Sequence, residues 1–284
     1  MKCATSLLGS GRIDRSRAGR PLLQLLASPD RGGIASDVDR ARRSQPEPNA
    51  TDTVTLVERL RHHRVLGKLG TDDLGLLVRQ AAVRRFPERA QIFQQGDEGH
   101  SVMVVADGYV KLSAITFNGR EVVLELAGPG SVFGELAVLN GWPRAATATA
   151  LAACVLLSIE GAAFSRALGR TPAAMLALLR LLSHRLRKTT EQMTDVIDMP
   201  APARIAKTLL HLAALHSKPV PGGVQIELAL SQSELGGMTG LIREIINRHL
   251  GNWRDAGWLL LSDRSIVLKD VQALRTLLAD NELE

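Results

Sequence analysis

Two residues of opposite charge in one short stretch carry the clearest chemistry in the chain. Between Phe133 and Thr147 the sequence runs FGELAVLNGWPRAAT. Gly134 permits close backbone approach, and Glu135 is an acceptor suited to a sugar hydroxyl. Arg144 follows a proline-stiffened turn and precedes two small residues, Ala145 and Ala146. A guanidinium presented without side-chain crowding beside backbone N–H groups suits a phosphate oxyanion. On residue chemistry alone a buried Glu–Arg ion pair bracing a turn fits equally well.

A second group lies at Arg243, Glu244 and Arg248. Arginine can grip guanine O6 and N7 with both donors, and glutamate can accept from cytosine N4, so the trio can read base edges. The alternative is a solvated helix face with an i,i+4 pair between Glu244 and Arg248. A third candidate is the hydroxyl pair Thr189-Thr190, set into an otherwise apolar seam. It either meets something polar or fixes the register of a helix pair.

The elements that must position these groups follow from periodicity. Met175, Leu179, Leu182, Leu186, Thr189, Met193 and Val196 recur at alternating spacings of four and three, an a/d seam for packing along a partner helix. Thr171-Pro172 supplies an N-cap and an N1 proline, and Pro200 and Pro202 end the helix. Upstream, Leu56, Leu60, Leu66 and Leu69 lead into a capped helix opening at Thr71-Asp72-Asp73, with Leu74, Leu77, Val78 and Ala81 on one face. From Val83 to Ile159 the period changes to two, with glycine turns at Gly96, Gly108, Asn118-Gly119 and Gly128-Pro129-Gly130. Asn118-Gly119 is the strongest hairpin signal. Such runs predict a small closed or double-sheet all-β unit.

Beyond Pro202 the pattern predicts a helix over 203–216 with Ile205, Leu209, Leu212 and Leu215 inward, then a strand over 224–228. A short helix from Ser231 containing Leu235 follows, then a turn over Gly236-Gly237-Met238-Thr239-Gly240 and a second helix from Leu241 to about Ala256. Two strands, 258–261 and 266–268, close the segment as a wing. Helix, glycine turn and helix is the helix-turn-helix signature.

Composition narrows the class. The 284 residues suffice for two domains, and a net charge of +6 permits a polyanionic partner. From position 201 onward basic and acidic residues balance at nine each, so charge does not choose between the two readings of the Arg243 trio. No apolar run reaches the roughly 18 residues of a membrane span, so no membrane association is expected. Cys3 and Cys154 lie far apart, which argues for a reducing compartment and against a disulfide or cysteine-ligated metal. The seven histidines show no metal-ligand spacing. Residues 1–52, rich in Arg, Ser, Gly and Pro, read as a disordered basic extension or the product of an upstream start codon. A transit peptide fits less well, since acids begin at Asp14 and the Leu22–Leu26 core is short.

FGELA…PRAAT resembles the phosphate-binding cassette of cyclic-nucleotide-binding domains, both in the bacterial cyclic-AMP receptor proteins and in the regulatory subunits of cyclic-AMP-dependent kinase. The resemblance implies that Glu135 holds the ribose 2′-hydroxyl and Arg144 the cyclic phosphate. Gly134, Leu136, Ala145 and Ala146 would line the ligand, with Leu124 near the base. Arg204-Ile205-Ala206 resembles the start of the receptor proteins' next helix, and counting back places Thr189 and Thr190 where that family reads the adenine amino group from both subunits. R-E-x-x-x-R resembles its recognition helix and implies a TGTGA-type half-site. Ile242 and Ile245 depart from it, standing where hydroxyl residues commonly touch phosphates.

The expected architecture is therefore α+β, in four parts. Residues 1–52 form the extension and 53–170 a jelly-roll-like β-roll that senses cyclic AMP. Residues 171–199 form the central dimerisation helix, its apolar seam Met175, Leu179, Leu182, Leu186, Met193 and Val196. Residues 200–284 form a winged helix-turn-helix. The expected partners are double-stranded DNA, the cyclic nucleotide, a second copy of the chain and RNA polymerase, in the cytoplasm. No metal, haem or iron–sulfur cluster and no enzymatic activity are expected. The rival readings are the same fold responding to cyclic GMP or a cyclic dinucleotide, or acting without a ligand, and a nucleotide-sensing scaffold that does not bind DNA.

Overall fold

The computed structural model describes residues 60–61, 63–262 and 265–279. The expected tail over 1–52, Leu56 and the wing-tip residues Asp263 and Arg264 lie outside them. A 3₁₀ turn at Leu66–Lys68 leads into α1 (Thr71–Gln80). The α1 N-cap is Gly70, without a side-chain bond, rather than a capped Thr71. Leu74, Leu77 and Val78 bury one face of α1, as a 3.6-residue period requires.

Eight strands follow: β1 (Ala82–Phe86), β2 (Gln91–Phe93), β3 (Ser101–Asp107), β4 (Val110–Ile115), β5 (Glu121–Ala127), β6 (Val132–Phe133), β7 (Thr147–Ala150) and β8 (Cys154–Glu160). A short helix, α2 (Glu135–Asn140), sits between β6 and β7. Among the described residues they form two four-stranded antiparallel sheets, ordered β1-β8-β3-β6 and β2-β7-β4-β5. Met103, Val105, Phe133, Ala148 and Leu156 fill the interior between them. Thr116–Arg120 turns the β4–β5 hairpin through Gly119, whose φ of +74° suits the Asn-Gly signal. The hairpin carries a bulge: Leu112 pairs with Glu125 and Ser113 with Val123, leaving Leu124 as the extra residue. Bulges re-aim side chains next to functional sites, and Leu124 is re-aimed here.

Helix α3 (Gly161–Arg170) closes the roll, and α4 (Pro172–Asp198) leaves it with Pro172 in the first turn. The buried apolar residues of α4 lie at its start. Ala174 and Leu178 are buried in the core that α1, α3 and the first sheet share, with Leu182 packed against it. Leu182 thus faces its own β-roll rather than an open seam. Met175, Leu179, Leu186, Met193 and Val196 stay exposed.

Past Met199 the chain forms α5 (Ala201–Leu215), the hairpin β9 (Ser217–Val220) and β10 (Gly223–Ile226), α6 (Gln232–Thr239), α7 (Arg243–Asp255), β11 (Leu259–Ser262), β12 (Ser265–Leu268) and α8 (Val271–Ala279). The strands order as β11-β12-β10-β9. Ile205, Leu209, Leu212, Ile246, Leu250 and Trp253 make the core. Leu215 does not join them; it is exposed. Gly236 and Gly237 also differ from the expected turn, since α6 runs through both and turns only at Gly240, φ +68°. The two glycines serve close packing instead: a Cβ on Gly237 would lie 3.0 Å from the Glu121 carbonyl and from Val123. Helix α6 thereby covers the free edge of β5. Among the described residues no helix is long and apolar enough to cross a membrane.

Candidate functional site

A cavity of about 540 Å³ opens between the roll, α4 and α5, within the roughly 300–1,000 Å³ usual for small-molecule sites. Eight of the nine ligand residues expected from sequence line it: Leu124, Gly134, Glu135, Leu136, Arg144, Ala145, Ala146 and Thr189. Thr190 does not. It is exposed, and its hydroxyl donates to the Leu186 carbonyl at 3.0 Å. The Thr189 hydroxyl makes the same backward bond to Arg185 O at 3.0 Å, an arrangement open to exchange for a ligand acceptor.

Strand β6 ends at Phe133, and Gly134 takes a φ of +79°, which places Glu135 at the start of α2. The positive φ suits glycine, and a Cβ there would also displace Arg144 Nη1. Arg144 is 5% exposed. It donates from Nη1 to Gly134 O at 2.8 Å and from Nη2 to Ser101 Oγ at 3.3 Å, and its Cζ sits 4.3 Å from the centre of the Phe93 ring. Its Nε is buried without a partner among the described residues. Burial pulls its pKa below the ordinary guanidinium value, with Asp97 and Glu135 opposing. No ion pair joins Arg144 to a carboxylate among the described residues. A buried, aromatic-backed guanidinium lacking an anion has the chemistry to take one.

Glu135, 2% exposed, does have a cation, though not the expected one. Arg185 on α4 places Nη1 2.7 Å from Glu135 Oε1 and Nε 2.8 Å from Glu125 Oε2, and Nη2 donates to Val132 O at 2.6 Å. Burial opposes its charge, but Glu135 and Glu125 outweigh that and hold its pKa above the usual value. The expected alternative, a Glu135–Arg144 pair bracing the turn, is therefore not found; Glu135 pairs with Arg185 on α4 instead. Sequence reasoning passed over Arg185; the available signal was a cation one helical turn before Thr189. It also passed over His184, Lys188 and His211, which line the same cavity.

The C-terminal domain meets the β-roll beside the cavity. Lys111, buried on β4, lies 3.0 Å from Glu121 on β5 and 3.2 Å from Glu234 on α6. Glu234 closes a capping box with Ser231. Its burial is outweighed by the bonds from Ser231 and Lys111, which hold its carboxyl below the usual range. Tyr109 packs edge-on to His216, ring centres 5.1 Å apart, and Leu126 reaches the C-terminal core. On α7, Arg243, Glu244 and Arg248 are all exposed, while Ile246, Leu250 and Trp253 hold the opposite face in the core.

The chain matches the family model of the cyclic nucleotide-binding domain over residues 83–171 and that of the Crp-like helix-turn-helix domain over 203–277. It is 30% identical over 201 residues to the CRP-like cAMP-activated global transcriptional regulator of Mycobacterium tuberculosis, covering 71% of this chain and 90% of the relative. The chain belongs to the CRP/FNR family of transcription regulators. The CRP of Salmonella typhimurium is 27% identical over 207 residues, 72% of this chain and 98% of the relative. Among solved structures, the c-di-GMP responsive global regulator CLP of Xanthomonas campestris superposes with a TM-score of 0.63 at 26% identity, covering 70% of this chain and 99% of CLP. The CRP-family assignment gives both halves their general roles, a cyclic nucleotide-binding sensor and a helix-turn-helix reader of DNA. The α+β architecture expected from sequence is the one found.

Proposed function

We propose that this CRP-family regulator is a homodimer that binds cyclic AMP in its β-roll and thereby controls binding of its reader to palindromic TGTGA-like DNA. One observation carries the reading. The cavity that brings together Glu135, Arg144 and Thr189 is walled on its far side by His211 and Leu215 of the reader's first helix. A ligand filling it touches the sensor, the central helix and the reader at once, so binding and reader position share atoms, which a coupling free energy requires.

In this reading Arg144 takes the cyclic phosphate, Gly134, Ala145 and Ala146 flank it, and Glu135, oriented by Arg185, accepts from the ribose hydroxyl. Leu124 and Leu136 pack the base, and Thr189 meets its edge, with Thr190 turned toward a partner subunit. Two copies pair along Met175, Leu179, Leu186, Met193 and Val196, a line of apolar side chains exposed on α4. That pairing sets two α7 helices about one DNA turn, roughly 34–36 Å, apart, the spacing known for dimeric helix-turn-helix proteins. Arg243, Glu244 and Arg248 then read the half-site in the cytoplasm, with RNA polymerase as the further partner. The likeness to CLP supports a second reading in which the ligand is a cyclic dinucleotide.

Calorimetric titration of the purified protein with cyclic AMP and cyclic GMP tests this. Tight, preferential binding of cyclic AMP, lost in Arg144→Ala, is the expected result. Unchanged binding by Arg144→Ala removes the pocket assignment, and preference for cyclic GMP removes the base assignment.

A further inference from the structure

The cations around the cavity are almost all neutralised. Arg185 holds Glu125 and Glu135, and Lys111 holds Glu121 and Glu234. Lys207 lies 2.6 Å from Asp195, and Arg187 lies 3.0 Å from Glu191. Two cations on the cavity wall have no carboxylate within ion-pair distance among the described residues: Arg144 and Lys188. Arg144 is the proposed phosphate site, and the same argument applies to Lys188.

Lys188 is partly buried, so its charge is not fully returned to water, and imidazoles rather than carboxylates stand beside it on the cavity wall. His184 lies one turn earlier on α4 and His211 faces it from α5, both on the cavity wall. The nearby acids of α4, Glu191 and Asp195, are engaged by Arg187 and Lys207. The positive field is felt locally. His211 is held below the usual imidazole value by burial first, then by Lys188, His216, His184 and Lys207, and His216 by burial and Lys188. A corner of uncompensated donors in a roomy cavity favours an anionic oxygen.

We propose that the cavity holds two anions, the cyclic phosphate at Arg144 and a second phosphate at the corner of His184, Lys188 and His211. This rests on the reading of the cavity as a cyclic-nucleotide site. The second phosphate has two possible sources, a single ligand with two phosphodiesters or inorganic phosphate bound beside a mononucleotide. Either source bridges α4 of the sensor to α5 of the reader, which gives the second anion leverage over the reader.

The test is calorimetry on the full chain and on Lys188→Met and Lys188→Arg, with cyclic AMP alone, cyclic AMP in millimolar inorganic phosphate, cyclic GMP, and cyclic di-GMP. The expected result is one of two gains in the wild type. Cyclic di-GMP binds at least tenfold tighter than cyclic GMP, or phosphate tightens cyclic AMP binding severalfold. Lys188→Met should erase the gain, a larger loss than any it causes in the binding of cyclic AMP alone, while Lys188→Arg should keep it. Neither gain in a wild type that binds cyclic AMP overturns the second site alone, as does a Lys188→Met that weakens every ligand equally. A wild type that binds none of the ligands overturns the cyclic-nucleotide reading, and the second site with it.

Discussion

Replacing Lys111 by methionine keeps an apolar stem out to the Cε position and removes the ammonium. Glu121 and Glu234, each within about 3 Å of that ammonium, are then left as neighbouring carboxylates without a cation. Removing one partner of a buried ion pair costs roughly 3–5 kcal/mol. Here the Glu234 side chain is 17% exposed but that of Glu121 is 36% exposed. Water recovers part of the Glu121 charge, so we expect about 3 kcal/mol, the lower end of that range. Glu234→Gln should cost less, because the amide oxygen still accepts from the Ser231 backbone and preserves the capping box.

In the double variant the two losses should fall short of additivity by roughly 1–3 kcal/mol, the coupling of residues that touch. Urea denaturation at one protein concentration measures this. The stacked Trp253–Trp258 pair, 6.1 Å between ring centres, makes fluorescence report on the reader. Additivity within about 0.5 kcal/mol would refute the reasoning, because it would mean that α6 does not rest on β5 in solution. The same strand gives Leu124, Glu125 and Leu126 to the cavity. Lys111→Met should therefore also shrink the gain in DNA affinity that cyclic AMP produces, measured by fluorescence anisotropy of a labelled duplex.

Arg185→Met should strip Glu135 of its cation, lower stability by about 3 kcal/mol, and weaken cyclic AMP binding; unaltered calorimetric affinity would place Arg185 outside the site. Glu244→Ala should relax base choice at one half-site position by about 1–3 kcal/mol, and an unchanged preference in competition binding would mean that α7 docks differently. His63 is buried, and its Nδ1 accepts from the amides of Val65 and Leu66 at 3.0 and 2.9 Å, with burial lowering its pKa from 6.5 to about 4. The folded state therefore refuses a proton that the unfolded chain takes, so this stability is complete above pH 6.5 and is lost as pH falls toward 4. The gap amounts to about 3 kcal/mol; His63→Gln should flatten the pH slope of urea midpoints, and an unchanged slope would contradict it.

Sequence alone determined what depends on local spacing. The cassette from Phe133 to Thr147, the hairpin at Asn118-Gly119, the proline-bounded α4 and the exposed trio on α7 are each set by residues within a few turns of one another. Local backbone preference and apolar periodicity dictate them whatever the rest of the chain does. Tertiary structure decided which charges meet. Arg185 reaches Glu135 across 50 residues and Lys111 reaches Glu234 across 123, and no periodicity encodes pairings over such separations. It also decided that α6 runs through Gly236 and Gly237 and lies close on the edge of β5, where a Cβ on Gly237 would come within 3.0 Å of the Glu121 carbonyl. Thr189 and Thr190, adjacent and chemically alike, were separated in the same way: the hundred-degree step of a helix turns one into the cavity and leaves the other outside it.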